Sequence, residues 1–315
     1  MRQIGDSLIV GNFREMEIDG TRIACDTDAY VIAEIGHNHQ GNLDICKQMF
    51  DAAKWAGCNA VKLQKRDNKT LYTEEFYNSP YNSENAFGPT YGLHREALEF
   101  DLGQYEQLKA YAKKLGITFF ATAFDIPSAE FLAELDMPAV KIASGDLTNK
   151  PLLEWLWAGP DWQVILSTGG GTEETVKAAF ELCEPDCVMQ CTSGYPAKYD
   201  ELGLRVIRTY TKWFPETTIG WSGHDTGIAM APVAYSWGAR IIEKHFTLNR
   251  AWKGTDQAFS LEPQGMKTMI DNLKQTRLAI GDGKKRCWKS EILPLAKQRK
   301  NQNGQIDGRV GLARS

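Results

Sequence analysis

Lys62 and Lys141 each interrupt a short apolar run, Ala60-Val-Lys-Leu-Gln64 and Ala139-Val-Lys-Ile-Ala143. Two inward ammonium groups repel unless an anion lies between them, so the pair points to a ligand that carries phosphate or carboxylate. Ser144-Gly145 and Ser167-Thr-Gly-Gly-Gly171 would add hydroxyls and backbone N–H groups, the second just ahead of a helix start, where anions are favoured. Taken alone, those glycines fit a tight turn equally well. Glu34 stands in Tyr30-Val-Ile-Ala-Glu-Ile35, immediately before a glycine turn, and is the candidate acid or base. His224 and His245, two of five histidines, close runs of the same kind. With Glu34 and Glu243 nearby, they could meet one divalent cation and leave coordination positions open for substrate or water. Their spacing is no metal signature in itself, and a structural role for either is an even alternative. His37 and His39, in the loop after Glu34, either shape that loop or contact a bound polyol.

Groups so dispersed share a site only if the fold gathers the ends of many strands. Short β-rich runs alternate with helical stretches, and the pattern predicts strands at 30–35, 60–64, 117–123, 139–143, 164–166, 187–191, 218–221 and 240–246. Helices are expected between them, and the last long one at 263–280. Eight βα units over about 250 residues have the size of a closed (β/α)8 TIM barrel, in which functional groups collect at the C-terminal strand ends. An open doubly wound α/β sheet is the rival. It is disfavoured because no GxGxxG follows the first strand and polar residues close nearly every strand. The expected strand-end inventory also contains Gln64, Thr122, Asp125, Asp146, Thr168, Gln190, Thr192, Ser193, Tyr195 and Ser222. Residues 1–28 are expected as an N-terminal extension with a hairpin turn at 18–21, 29–285 as the barrel, and 286–315 as a basic, partly mobile tail. A long polar segment at 66–100 separates the second strand from the next helix.

Composition excludes several classes. The chain has 315 residues and a formal charge of −4, which disfavours nucleic-acid binding by net charge. With 43% apolar residues and nine tryptophans it cannot be a disordered chain. No apolar run approaches the ~20 residues of a membrane span, and the first eleven residues lack a signal-peptide core. A cytoplasmic protein is expected. Seven cysteines argue against a disulfide framework, and Cys183, Cys187 and Cys191 read better as packed thiols than as metal ligands.

An ordered set of motifs resembles the sialic acid synthase family. These are AEIGHNHQG at 33–41, AVKLQ at 60–64, PAVKIASGD at 138–146, ILSTGG at 165–170 and QCTSGYP at 190–196. TIGWSGHDTG at 218–227, EKHFT at 243–247 and KGTDQAFSLEP at 253–263 complete it. The resemblance implies a (β/α)8 barrel that condenses phosphoenolpyruvate with an N-acyl aminosugar such as N-acetylmannosamine or its 6-phosphate. It further implies a divalent metal, Mn²⁺ first and Mg²⁺ or Co²⁺ next. Lys62, Lys141, Ser144, Ser167, Ser193, Tyr195 and Ser222 would hold phosphoenolpyruvate, His224 and His245 the metal, and Gln64, Asp146 and Asp256 the sugar; Glu34 would position or deprotonate the attacking water. A related condensation with another aldose, or a catalytically silent sugar- or anion-binding barrel, are the alternatives.

Three departures bear on the sugar end. Ser193 and Gly223 replace residues common in the family, and the chain is too short for the family's C-terminal antifreeze-like domain. That domain covers the partner's site in a homodimer. A separate capping protein, the 66–100 segment with Tyr91, His94 and Arg95, or Arg309 or Arg314 of a neighbouring tail are the expected substitutes.

Overall fold

In the computed structural model, which describes residues 15–308, the chain begins with a hairpin of β1 (Met16–Ile18) and β2 (Thr21–Ile23), paired antiparallel. Asp19 and Gly20 turn it with φ of 50° and 75°. Two positive φ values are what a two-residue turn matching the strand twist requires, and glycine adopts them without strain. The expected turn at 18–21 is therefore present; residues 1–14 lie outside the described region.

Eight parallel strands follow: β3 (Tyr30–Gly36), β4 (Ala60–Lys65), β5 (Thr118–Ala123), β6 (Ala139–Ile142), β7 (Gln163–Ser167), β8 (Cys187–Cys191), β9 (Thr218–Gly223) and β10 (Ile241–His245). They close in chain order, with β10 hydrogen-bonded to both β9 and β3. Helix α1 (Leu43–Ala56) links β3 to β4. Asn42 caps its first turn, and Gly57 ends it in the left-handed region. The segment before β5 holds α2 (Asn68–Leu71), α3 (Glu74–Tyr77), α4 (Tyr91–Glu96) and α5 (Leu102–Leu115). Then come α6 (Ile126–Glu134), α7 (Lys150–Ala158), α8 (Glu173–Cys183), α9 (Val206–Trp213), α10 (Met230–Ser236) and α11 (Pro263–Ile280).

Period-two alternation divides each strand between two cores. Outward residues such as Val31, Val61, Val140 and Ile242 pack beneath the helices. Inward residues nearer the strand starts, among them Tyr30, Ile32, Phe120, Ile165, Met189 and Ile241, fill the barrel. Met16, Ile18 and Ile23 of the hairpin belong to this inner cluster and plug its N-terminal end. One turn of the pleat higher, the inward positions become polar: Glu34, Lys62, Thr122, Lys141, Ser167, Ser222 and Glu243 are all buried. The apolar plug forces these groups to face the opposite mouth.

The polar stretch at 66–100 is more ordered than its composition predicts. Asp67, Thr73 and Thr90 each accept a backbone N–H at the start of a short helix. Rings of Tyr72, Phe76, Tyr81 and Tyr91 then pack edge-on or tilted across them. The side chains that read as loop-formers are caps.

Residues from Ile280 onward belong to a second compact unit. Within it, Lys289–Glu291 forms a 3₁₀ turn leading into α12 (Ile292–Ala296). Arg309 and Arg314 lie outside the described residues. No helix among the described residues is long and apolar enough to cross a membrane.

Candidate active site

The C-terminal strand ends surround a cavity of about 660 Å³, a size typical of small-molecule sites. Glu34, Lys62, Gln64, Lys141, Ser144, Ser167, Ser193, Tyr195, Ser222, His224, His245 and Asp256 all line it.

At its floor the two lysines do not await an external anion. Lys141 Nζ donates to both carboxylate oxygens of Glu243, at 3.0 and 3.1 Å. Lys62 Nζ pairs with Glu34 Oε2 at 2.6 Å, donates to Thr122 Oγ1 at 2.6 Å and lies 3.9 Å from Glu243 Oε2. Ser222 Oγ donates to Glu243 Oε1 at 3.0 Å. The expectation that a ligand must separate the lysines is thus corrected: Glu243 lies between them, and Glu34 pairs with Lys62. Each ammonium carries three donors, so the carboxylates balance charge without excluding further contacts to a ligand.

The two carboxyls are driven apart. Burial raises Glu34, with Lys62 opposing and Glu243 adding to the rise. Burial would also raise Glu243, but Lys141 and Lys62 outweigh it and hold the group down at about 2. Carboxyls separated in this way take different tasks. Glu243 is the permanent anion, and Glu34 is the group able to exchange a proton. Gln64 Nε2 donates to Glu34 Oε1 at 2.7 Å and fixes its orientation.

Beside this charge cluster the Gly169 N–H donates to Ser144 Oγ at 2.9 Å. A β-carbon at Gly169 would collide with Ser193 Oγ and lie 2.7 Å from Ser144 Oγ. That glycine is there because two hydroxyls crowd its backbone, while the next one, Gly170, makes the turn with a φ of 74°.

On the other wall, the rings of His224 and His245 are 5.2 Å apart. Tyr195 lies tilted against His224 with ring centres 4.3 Å apart, and Phe259 lies 4.9 Å from His245. His224 Nδ1 lies 2.8 Å from the Thr192 carbonyl and 3.8 Å from Cys191 Sγ. Donation to that carbonyl leaves Nε2 as its lone-pair nitrogen, an orientation common in metal-ligating histidine. His245 Nδ1 is buried without a hydrogen bond, 3.5 Å from Asp256 Oδ2. Burial holds its imidazole below the ordinary histidine range, hence neutral. Among the described residues no three His, Cys, Asp or Glu side chains converge to hold an ion. The residues present fit an open site of two imidazoles, with an unpartnered nitrogen on one of them, and not a closed cage.

Several expected residues stand elsewhere. Asp146, in a 3₁₀ turn (Ser144–Asp146), is buried and accepts from Asn149 Nδ2 at 2.9 Å; it is not on the cavity wall. The turn carries its carboxyl away from the face that Ser144 presents. Gln190 and Thr168 bond the Leu202 and Met189 carbonyls, and Asp125 caps α6. Of the loop histidines, His39 stacks on Phe100 at 4.2 Å and shapes the loop, whereas His37 faces the cavity. Cys183 and Cys187 are packed thiols as expected, but Cys191 reaches the cavity wall. Arg66, Thr122 and Glu243 were not among the ligand-binding expectations. Arg66 was legible as the next inward position after Lys62 and Gln64.

A family model described as the NeuB family matches residues 49–285. The chain is 39% identical over 267 residues to the N-acetylneuraminate-9-phosphate synthase of Homo sapiens, covering 84% of this chain and 74% of that protein. It is 42% identical to the Drosophila melanogaster protein of the same name, covering 78% and 68%. The crystal structure of N-acetylneuraminic acid (sialic acid) synthetase from Leptospira borgpetersenii, in complex with citrate, superposes with a TM-score of 0.76 at 31% identity. That match covers 92% of this chain and 99% of the other.

Proposed function

The chain belongs to the NeuB family, and from that premise we propose that it condenses phosphoenolpyruvate with an N-acyl aminosugar of the N-acetylmannosamine type. The products are a nine-carbon nonulosonic acid and inorganic phosphate. C3 of the enol attacks the sugar aldehyde and forms the C–C bond. Water adds to C2, and the C2–O bond to phosphate breaks.

The observation that carries the proposal is the Lys62–Glu34–Glu243–Lys141 cluster at the foot of a cavity with hydroxyls on one wall and paired imidazoles on the other. Lys62 and Lys141 neutralise the donor's phosphate and carboxylate, and the Glu243 carboxylate keeps both ammonium groups in place before the donor arrives. Ser144, Ser167, Ser193, Ser222 and Tyr195 supply hydroxyl contacts. Glu34 takes the proton from the attacking water, held in position by Gln64. His224 and His245 would hold a divalent ion, Mn²⁺ before Mg²⁺ or Co²⁺, which when bound polarises the aldehyde oxygen and stabilises the developing alkoxide. Gln64 and Asp256, both on the cavity wall, meet the sugar. A homodimer in the cytoplasm is part of the same proposal and rests on the family resemblance.

The test is phosphate release from phosphoenolpyruvate and a panel of aldoses with Mn²⁺, coupled to product mass. One phosphate per nonulosonate, lost on chelation, is the expected result. Condensation with a different aldose alone would transfer the chemistry to another 2-keto sugar acid, and no release with any aldose would end the proposal.

A further inference from the structure

Two motifs carry amides that the condensation leaves unused: Asn38 in Gly36-His-Asn-His-Gln-Gly41 and Gln257 in Gly254-Thr-Asp-Gln-Ala-Phe-Ser260. Both are buried. The chain leaves the barrel at the end of β10 and returns at Leu261, whose N–H donates to the His245 carbonyl at 2.8 Å. The excursion between, residues 247–260, brings Asp256 to the cavity wall. A loop carries no ladder of its own, so side chains must satisfy its backbone.

Gln257 is the post on which that loop is wound. Its Nε2 donates to the carbonyls of Asn38 at 3.0 Å and Lys253 at 3.5 Å, and its Oε1 accepts from the Thr247 hydroxyl. Gly254 closes on it so tightly that a β-carbon there would lie 3.0 Å from Gln257 Cγ. Asn38 carries the bonds onward. Its Nδ2 donates to the Phe246 carbonyl and to Ser260 Oγ, both at 2.9 Å. Ser260 Oγ in turn donates to the Asp256 carbonyl at 2.6 Å. Both hydrogens of each amide nitrogen thus have an acceptor, and all four side chains, Asn38, Thr247, Gln257 and Ser260, are buried.

The chain of bonds ends on Asp256. Ser260 holds its carbonyl, and Thr255 Oγ1 donates to its Oδ1 at 2.9 Å. That leaves Oδ2 facing His245 Nδ1 at 3.5 Å. Asn38 reaches the cavity wall, whereas Thr247, Gln257 and Ser260 stand off it. Any influence of these three on a substrate must pass through the residues they hold.

We propose that Gln257 and Ser260, linked through Asn38, are positioning residues for the acceptor sugar. They lock the 247–260 loop in the arrangement that sets the Asp256 carboxylate beside His245, and so govern acceptor affinity without touching the substrate. A fully satisfied buried network suits this task because it specifies a single arrangement. The placement of the sugar at Asp256 rests on the condensation proposed above. A network that served stability alone would change the fraction of folded enzyme, hence the apparent kcat, and leave KM as it was.

The experiment measures kcat and KM, with phosphoenolpyruvate, for N-acetylmannosamine or its 6-phosphate, whichever wild type turns over faster. The proteins are wild type, Gln257→Leu, Ser260→Ala, Asp256→Asn and each of the first two combined with Asp256→Asn. Hydrogen exchange of residues 247–260 is followed beside it. Gln257→Leu and Ser260→Ala should each raise KM for the sugar at least about tenfold, within the roughly 10²-fold that a misplacement of about 1 Å can cost. Isothermal titration should find phosphoenolpyruvate bound as in wild type, and the loop amides should exchange faster. With Asp256→Asn already present, either variant should add little, because both act through that carboxylate. An unchanged KM, or full multiplication of the two effects in the double variants, overturns the proposal. If Gln257→Leu fails to fold, Ser260→Ala decides. A wild type that turns over neither sugar strikes the condensation itself. Loop exchange then decides whether the network holds Asp256 in place, and exchange in Ser260→Ala equal to wild type overturns it.

Discussion

At the scale of single residues, environment separates groups that share a formula. Glu34 and Glu243 are both buried carboxyls beside Lys62, yet one is pushed up and the other held down. Replacement of the proton-exchanging member should affect turnover more than binding. Glu34→Gln is expected to lower kcat by about 10² to 10⁴, the usual worth of a general base. Isothermal titration with phosphoenolpyruvate should still report binding, and an unchanged kcat would remove Glu34 from the chemistry.

Asp146 offers a second case, with burial as the main cause and Asp125 adding a smaller rise. Burial raises it to about 6 from an ordinary 3.8, with the Asn149 amide opposing. For an acid raised on folding, stability is fully present below the unfolded value and is lost as pH rises through the folded one. Asp146→Asn keeps the shape and removes the charge. Its melting temperature is therefore expected to gain on wild type as pH rises from 3.8 to about 6 and to hold that lead above it. A pH-independent difference would refute the burial cause.

At the scale of elements, the barrel sorts side chains by parity and height, and this decides what a reader of the chain can foresee. Lys62, Lys141, Glu34 and His245 sit within apolar strands, where a polar inward residue is conspicuous, and all four face the cavity. The eight strands were legible for the same reason. Asp146 was misplaced because it lies in a 3₁₀ turn, where parity along a strand no longer says which way a side chain faces. Glu243 was visible but its partners were not, since contact between β6 and β10 depends on curvature across the barrel. Arg95 was named with the covering segment, but its helix was not foreseen: α4 has six residues, and its start signal, Thr90, lies in a segment that composition assigns to a loop. The hairpin makes an element-level prediction. Ile23 is fully buried in the inner cluster. Ile23→Ala should cost about 2 to 5 kcal/mol by leaving a cavity in the plug. Urea denaturation measures this, and a loss below about 1 kcal/mol, the range of tolerant sites, would show that the plug is dispensable.

At the scale of the whole molecule, closure depends on one late strand. β10 bonds to β9 on one side and β3 on the other, and it brings Glu243 and His245. A chain ending at residue 240 would expose two sheet edges and leave Lys141 without its carboxylate. Calorimetry of that fragment should show no cooperative transition. A sharp transition near that of the full chain would mean that seven strands suffice.

The same seam has a consequence for synthesis. Glu243 follows Lys141 by 102 residues, so the ribosome releases both lysines long before the group that reconciles them. Until then Lys62 already has Glu34, but Lys141 stands without a carboxylate. A chain cut short before β10 therefore buries a lysine at the barrel's foot with no carboxylate to balance it, an arrangement that disfavours the closed fold.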